Sequence, residues 1–168
     1  IQLSGYAIYW QGFCGDAYCG RTKNLHIVDP DYDMLSTYTE NILGTNPNLS
    51  DTDGDGIPDG FEIRNQLDPL NETDAKSDYD NDNLTALEEY EIGTDLNNND
   101  TDSDGLLDAD EVYIYNTDPI NPDTDNDEIS DSQELNMNLN PTDDDSDDDG
   151  LLDGEELHTY NTDPLDPD

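Results

Sequence analysis

"DTDGDGIPDGFE", residues 51–62, places five carboxylates and three glycines in twelve positions. The pattern D-x-D-x-D that opens it recurs with its first Asp at 78, 100, 123 and 145, so the steps are 27, 22, 23 and 22 residues. A fixed period is a statement about architecture before it is one about any single loop. Counting back 22 residues from Asp51 reaches "DPDYDMLSTYTE", residues 29–40, which keeps its acids at positions 1, 3, 5 and 12 and loses the one at 9. It reads as a degenerate first copy, 29–50. "DPLDPD" at the end repeats the "DPINPD" of residues 118–123, so Asp168 is expected to open a further loop, truncated here.

The 168 residues carry 45 Asp+Glu against 4 Lys+Arg, a formal net charge of −41, and only 31% are apolar. Composition alone describes a chain that buries too little apolar surface to offset its ordering entropy. The repeat argues the opposite. Loop position 7 is apolar five times (Ile57, Leu84, Leu106, Ile129, Leu151), and so is the residue just after each loop (Ile63, Tyr90, Val112, Leu135, Leu157). A solvated tail has no reason to fix those positions. Each unit runs in one order: a Pro/Asn-rich lead-in, the acidic loop, then two or three turns of helix from position 9 onward. Acids at the helix N-terminus suit the helix dipole, and a Gly-Thr or Asn-Thr step ends it.

The loop fits D-x-[DN]-x-[DN]-G-x5-E, an oxygen-rich calcium loop. Calcium takes six to eight hard oxygens in flexible geometry. Side chains at 1, 3 and 5 converge as the backbone curls, Gly at 6 permits a positive φ, and position 7 offers a carbonyl while its side chain stays apolar. The expected ligands are Asp51, Asp53, Asp55, the Ile57 carbonyl, Asp59 and Glu62 in the first full copy. The second gives Asp78, Asp80, Asp82, the Leu84 carbonyl and Glu89; the third Asp100, Asp102, Asp104, the Leu106 carbonyl, Asp108 and Glu111. The fourth gives Asp123, Asp125, Asp127, the Ile129 carbonyl, Asp131 and Glu134; the fifth Asp145, Asp147, Asp149, the Leu151 carbonyl, Asp153 and Glu156. Asn83 at position 6 and Ala86 at 9 weaken the second loop, Glu128 at 6 weakens the fourth, and the copy with Asp29, Asp31, Asp33 and Glu40 is expected to be weakest.

The ligand positions of the five full loops use 24 of the 45 acids, and five calcium ions would bring −41 only to −31. With Asp95, Asp118, Asp143, Asp144 and Asp148 left over, a second ion shared with the neighbouring lead-in is expected in some repeats, and at least five ions in all. Magnesium keeps its waters and suits fewer carboxylates; transition metals lack His and thiolate ligands in the loops. The sign of the charge disfavours nucleic acid and anionic membranes, and no apolar run spans a bilayer.

"DTDSDGLLDADEVYIYNTDPINPDTDNDEISDSQE" (100–134) and "DSDDDGLLDGEELHTYNTDPLDPD" (145–168) resemble the thrombospondin type 3 calcium-binding repeats in their bacterial and archaeal form. The likeness covers about residues 29–168. It implies mostly irregular calcium-wrapped loops with short helices, a solenoid-like or elongated stalk of a secreted or cell-surface protein with little conventional core. The animal repeats carry cysteines inside the array, and this array has none. EF-hand behaviour does not carry over: no helix precedes the loops, and the apolar residue falls at 7, not 8.

Residues 1–28 stand outside the repeats. "IQLSGYAIYW" suggests a strand, able to pair within a small cap or to add to a neighbouring domain or an identical subunit. Cys14 and Cys19 are expected to close a small disulfide loop in an oxidising compartment; a metal site would have only His26 nearby to complete it. The start at Ile1 suggests a processed chain or a fragment. Asn48, Asn71, Asn83 and Asn99 head N-x-S/T triplets, a weak extracellular signal in an Asn-rich chain. The function expected is an extracellular calcium-binding structural spacer, with a protomer of a self-assembling fibre or surface layer as the alternative. A sensor would need an apolar groove. Catalysis, for instance glycoside hydrolysis by paired carboxylates, would need a pocket-forming core that the composition does not supply.

Overall fold

The computed structural model describes residues 28–167, and among them there is helix, turn and loop but no strand. The strand expected in 1–10 and the Cys14–Cys19 loop lie outside the described residues. Six short helices follow in order: α1 (Thr37–Leu43), α2 (Asp59–Asn65), α3 (Ala86–Ile92), α4 (Asp108–Asp110, continuing as a π-helical turn over Glu111–Tyr115), α5 (Asp131–Met137) and α6 (Asp153–Glu155, continuing as a π-helical turn over Glu156–Tyr160). One 3-10 turn, Asp74–Lys76, sits between α2 and α3.

Every helix begins at loop position 9, as the pattern predicts. The residue before it is extended, from Ser36 at φ −89°, ψ 147° to Leu152 at φ −81°, ψ 144°. Thr85 closes a capping box with Glu88, whose Oε2 accepts the Thr85 N–H at 2.9 Å. Each helix stops on a left-handed residue: Gly44, Gln66, Gly93, Asn116, Asn138 or Asn161. The π turns have a cause in the sequence. From Glu111 to Thr117 and from Glu156 to Thr162 the chain has one residue more than from Glu89 to Thr94, and the wider turn absorbs it.

The loops are held by a ladder of carboxylates accepting backbone N–H groups. The Asp at position 1 takes the N–H of position 4 on one oxygen and of position 6 on the other: Gly54 at 2.7 Å and Gly56 at 3.1 Å on Asp51, Asn126 at 2.7 Å and Glu128 at 3.1 Å on Asp123. The Asp at 5 takes the N–H of 7, as Asp82 does from Leu84 at 2.6 Å. These bonds close only if positions 4 and 6 are both left-handed. The sequence identifies the second of these; the first is also real, at Tyr32, Gly54, Asn81, Ser103, Asn126 and Asp148. Glu128, without glycine's freedom, is held at φ 80°, a cost of about 1–2 kcal/mol. The degenerate copy is built like the others, with Tyr32 and Met34 donating to Asp29.

Successive units lock through position 10. The N–H of Ala109 donates to Asp82 Oδ2 at 3.2 Å, that of Ser132 to Asp104 Oδ2 at 2.9 Å and that of Gly154 to Asp127 Oδ2 at 2.9 Å. Each bond runs from one loop to position 5 of the loop before. Position 10 is small in these three loops and at Gly60, and is Leu87 in the loop at 78. The Ser132 hydroxyl donates to the Asp104 carbonyl at 2.6 Å, while at Gly60 and Gly154 the preceding carbonyl, of Asp33 or Asp127, occupies the place a Cβ would need.

Apolar packing is thin. The buried apolar residues are Ile57, Leu67, Ala75, Leu84, Ala86, Leu96, Ala109, Ile129 and Leu139. Among the described residues, Ile57, Leu67, Ala75, Ala86 and Leu96 form a cluster, with Phe61, Leu87 and Tyr90 against it; the Phe61 and Tyr90 rings meet edge-on at 4.7 Å. Position 7 is fully buried at Ile57, Leu84 and Ile129, but Leu106 and Leu151 are only half-buried.

Gly60→Ala is expected to lower the thermal midpoint in excess calcium well beyond Gly54→Ala, because Gly54 adds only a left-handed backbone with open space around it. Equal midpoints in a melting experiment would contradict the close approach of Asp33 to Gly60.

Candidate metal centres

Among the described residues, acids are buried as deeply as any apolar side chain. Glu40, Glu62, Glu89, Glu111, Glu134 and Glu156, the position-12 residue of each copy, have 0% exposed surface. Helix geometry explains the placement: position 12 is the fourth residue of each helix, on the face turned over its own loop. For Glu40, Glu62, Glu89 and Glu134, both carboxylate oxygens lack a hydrogen-bond partner in the protein. Glu111 and Glu156 have one free oxygen, the other accepting from Thr117 Oγ1 at 3.0 Å or Thr162 Oγ1 at 2.9 Å. Those threonines are reached by the π turn that distinguishes the two units.

Position 3 points the same way. Both oxygens of Asp31 and Asp125, and Oδ2 of Asp53, Asp80, Asp102 and Asp147, are buried without a partner. Native proteins leave few such atoms, and a buried carboxylate without a counter-charge is costly. Here they occur in every unit and converge. Carboxylate oxygens of Asp29, Asp31 and Asp33 lie within 4.8 Å of one another, as do those of Asp51, Asp53 and Asp55 and of Asp78, Asp80 and Asp82. A second kind of group joins Asp33, Glu40 and Asp59, and likewise Asp55, Glu62 and Asp74, within the same distance. This donor set, all hard anionic oxygens with no His or Cys, suits a hard divalent cation such as calcium.

Desolvation, then the neighbouring carboxylates, pushes Glu62, Glu89 and Glu111 up to about 8, Glu134 to about 9 and Glu40 to about 7. Asp102 and Asp125 rise to about 6 from the same first cause.

The sequence assigned position 9 to the ion of its own loop. In the structure both of its oxygens turn to position 2 in three loops: Asp59 accepts Thr52 N–H at 2.7 Å and Thr52 Oγ1 at 2.6 Å, Asp108 does the same with Thr101, and Asp131 with Thr124, while Asp153 accepts Ser146 N–H at 2.9 Å on one oxygen only. Asp59 also joins the acids of the preceding copy. The acids grouped between loops are thus Asp33 and Glu40 with Asp59, and Asp55 and Glu62 with Asp74, the last of which lies in the lead-in to the loop at 78. Asp95, Asp118, Asp143, Asp144 and Asp148 are exposed, and Asp95 and Asp118 instead accept from Asn97 and Ile120 to close the lead-in turn. A hydroxyl at position 2 (Thr52, Thr101, Thr124, Ser146) and a small residue at 10 were the sequence signals for this arrangement.

A tandem array of acidic loops, each roofed by a short helix with a buried glutamate, is the architecture of a calcium-binding structural repeat. The family description "Bacterial TSP3 repeat" matches residues 51–72, 100–122, 123–143 and 145–167, over half of the chain, and the chain belongs to that thrombospondin type 3 repeat family. The family is a structural calcium-binding repeat and not an enzyme family. The copies at 29–50 and 78–89 fall outside the match, and both lack the acid at position 9. No curated protein and no solved structure shows a significant match. Among the described residues no helix is long and apolar enough to cross a membrane.

Without calcium, the raised glutamates contribute to stability only while protonated. That contribution is full below their unfolded value near 4.5 and is lost as pH climbs through about 7 to 9. The thermal midpoint of the chelated chain should therefore fall between pH 5 and pH 9, while calcium affinity rises over the same window as protons stop competing. A chelated midpoint that rises with pH would contradict this.

Proposed function

We propose that this chain is an extracellular spacer whose tandem units, residues 29–168, are ordered and stiffened by calcium. Residues 1–28 form a separate attachment segment in this reading. The observation that carries it is the recurrence of a fully buried glutamate with unpartnered oxygens in every copy. Each of these would cost several kcal/mol as a bare charge, and calcium at the loop converts that cost into binding energy that appears as folding energy. Thrombospondin type 3 repeats are typically extracellular, where sites of sub-millimolar affinity are filled.

The ligands proposed are those the sequence selects, redistributed. Positions 1, 3 and 5 with the position-7 carbonyl hold an ion inside each loop: Asp51, Asp53, Asp55 and Ile57 in the first full copy, and their counterparts from Asp78 to Leu84, Asp100 to Leu106, Asp123 to Ile129 and Asp145 to Leu151. Glu62, Glu89, Glu111, Glu134 and Glu156 reach this ion from the helix above. A second ion sits where the position-5 acid and this glutamate meet an acid of the next unit, as Asp33 and Glu40 meet Asp59. Bridging successive loops in this way would fix the angle between them, which is what a spacer requires. More than five ions per chain follow.

The test is a distance distribution between spin labels on Tyr38→Cys and Ile114→Cys, both exposed in the native chain, in a background carrying Cys14→Ser and Cys19→Ser. Calcium should give one narrow distribution and chelator a broad one. A distribution equally broad in both would overturn the spacer reading.

A further inference from the structure

The 27-residue step from Asp51 to Asp78 is the irregular one, and the loop it leads to lacks two side chains that the others use. Position 9 is Ala86 where other full loops have Asp, and position 2 is Tyr79 where they have Thr or Ser. The backbone is unaltered. Ala86 N–H donates to Ser77 O at 2.9 Å just as Asp59 N–H donates to Ser50 O at 2.9 Å and Asp153 N–H to Asp144 O at 3.0 Å. The position exists and its carboxylate does not.

The extra residues lie wholly in the lead-in. Ten residues separate Asp68 from Asp78, against five between Asn46 and Asp51 or Asp95 and Asp100. They fold as the 3-10 turn Asp74–Lys76, which buries Ala75 beside Ala86 in the apolar cluster and buries Asp74 as well. Asp74 Oδ2 accepts the N–H of Asp68 at 2.9 Å. In the other units the equivalent N–H, of Asn46, Asp95 or Asp118, goes to the position-2 hydroxyl at 2.9–3.0 Å. Asp74 Oδ1 has no protein partner and is buried. A carboxylate oxygen of Asp74 lies within 4.8 Å of oxygens of Asp55 and Glu62, the latter fully buried with both oxygens unpartnered. The junction between the loops at 29 and 51 joins Asp33, Glu40 and Asp59; in the next one Asp74 stands where the position-9 acid would.

We infer that Asp74, delivered by the five-residue insertion, is a surrogate metal ligand that restores the cation site between the loops at 51 and 78. The inference rests on the calcium reading above. One side chain replaces two: its Oδ2 takes over the hydroxyl's hydrogen bond, and its Oδ1 supplies the charge missing at Ala86. The insertion is therefore a repair in place, and the junction keeps its ion although its own loop has lost the acid.

The test uses the full chain with calcium as probe. Asp74→Asn retains an oxygen for the Asp68 N–H and removes only the charge, so a structural role survives it and a ligand role does not. Glu72→Gln, an exposed acid of the same insertion, is the control. Equilibrium dialysis with metal analysis, and calorimetry, should show Asp74→Asn losing one ion per chain or weakening one site at least tenfold, with Glu72→Gln unchanged. The slope of thermal midpoint against the logarithm of free calcium should fall by about one ion taken up on folding, a readout that holds even if the variant is less stable. Asp74→Glu, which keeps the charge, should regain the ion. Wild-type stoichiometry and slope in Asp74→Asn would overturn the inference and leave calcium binding intact. A parent chain that binds no calcium would instead overturn the reading beneath it.

Discussion

A glutamate with no exposed surface, no base beside it and other carboxylates around it is the constraint from which this structure follows. The chain has four Lys and Arg in total, two of which, Arg21 and Lys23, fall outside the described residues. Burial of Glu40, Glu62, Glu89, Glu111, Glu134 and Glu156 cannot be balanced by so few bases. In an ordinary domain of this length the largest buried side chains are Leu, Ile and Phe. Here the glutamates outnumber the fully buried large apolar residues Ile57, Leu84, Leu96 and Ile129. In the function proposed for this chain, a divalent cation is the counter-charge that lets such a side chain occupy a core position.

The rest of the geometry serves that burial. Two left-handed residues per loop curl the chain so that Asp side chains close on backbone N–H groups and still turn one oxygen inward. Beginning each helix at position 9 sets position 12 over the loop. At three junctions a small residue at position 10, Ala109, Ser132 or Gly154, lets its unit approach closely enough to donate its N–H to the previous loop. Irregularities are absorbed locally. A residue added after Glu111 and Glu156 becomes a π turn, and five added before Asp78 become a 3-10 turn that buries Asp74.

Much of this was legible in the sequence because a loop that wraps an ion is specified locally. The period, the helix starts, the left-handed position 6 and the burial at Ile57, Leu84 and Ile129 follow from residue types at fixed offsets. The grouping of acids across loops was not legible. A linear pattern assigns Asp59 to the loop that contains it, whereas the structure groups it with Asp33 and Glu40 of the copy before. That fact lies in the contact between units, which spacing alone does not encode. Leftover charge suggested a second ion but pointed to exposed acids such as Asp143 and Asp144, because counting charges takes no account of burial. Asp74 was invisible for the same reason: nothing marks a lone Asp in an insertion as buried until the turn that buries it is seen.

Whether cations and not apolar contacts make this fold persist is decided by amide hydrogen exchange measured as free calcium is lowered. The N–H groups that cap each unit are the probes, including Glu62 to the Pro58 carbonyl at 3.1 Å and Glu134 to the Ser130 carbonyl at 3.0 Å. Strong protection is expected in calcium, with loss of it throughout residues 29–167 once the ions are removed. Protection that persists unchanged in the ion-free chain at neutral pH would contradict it.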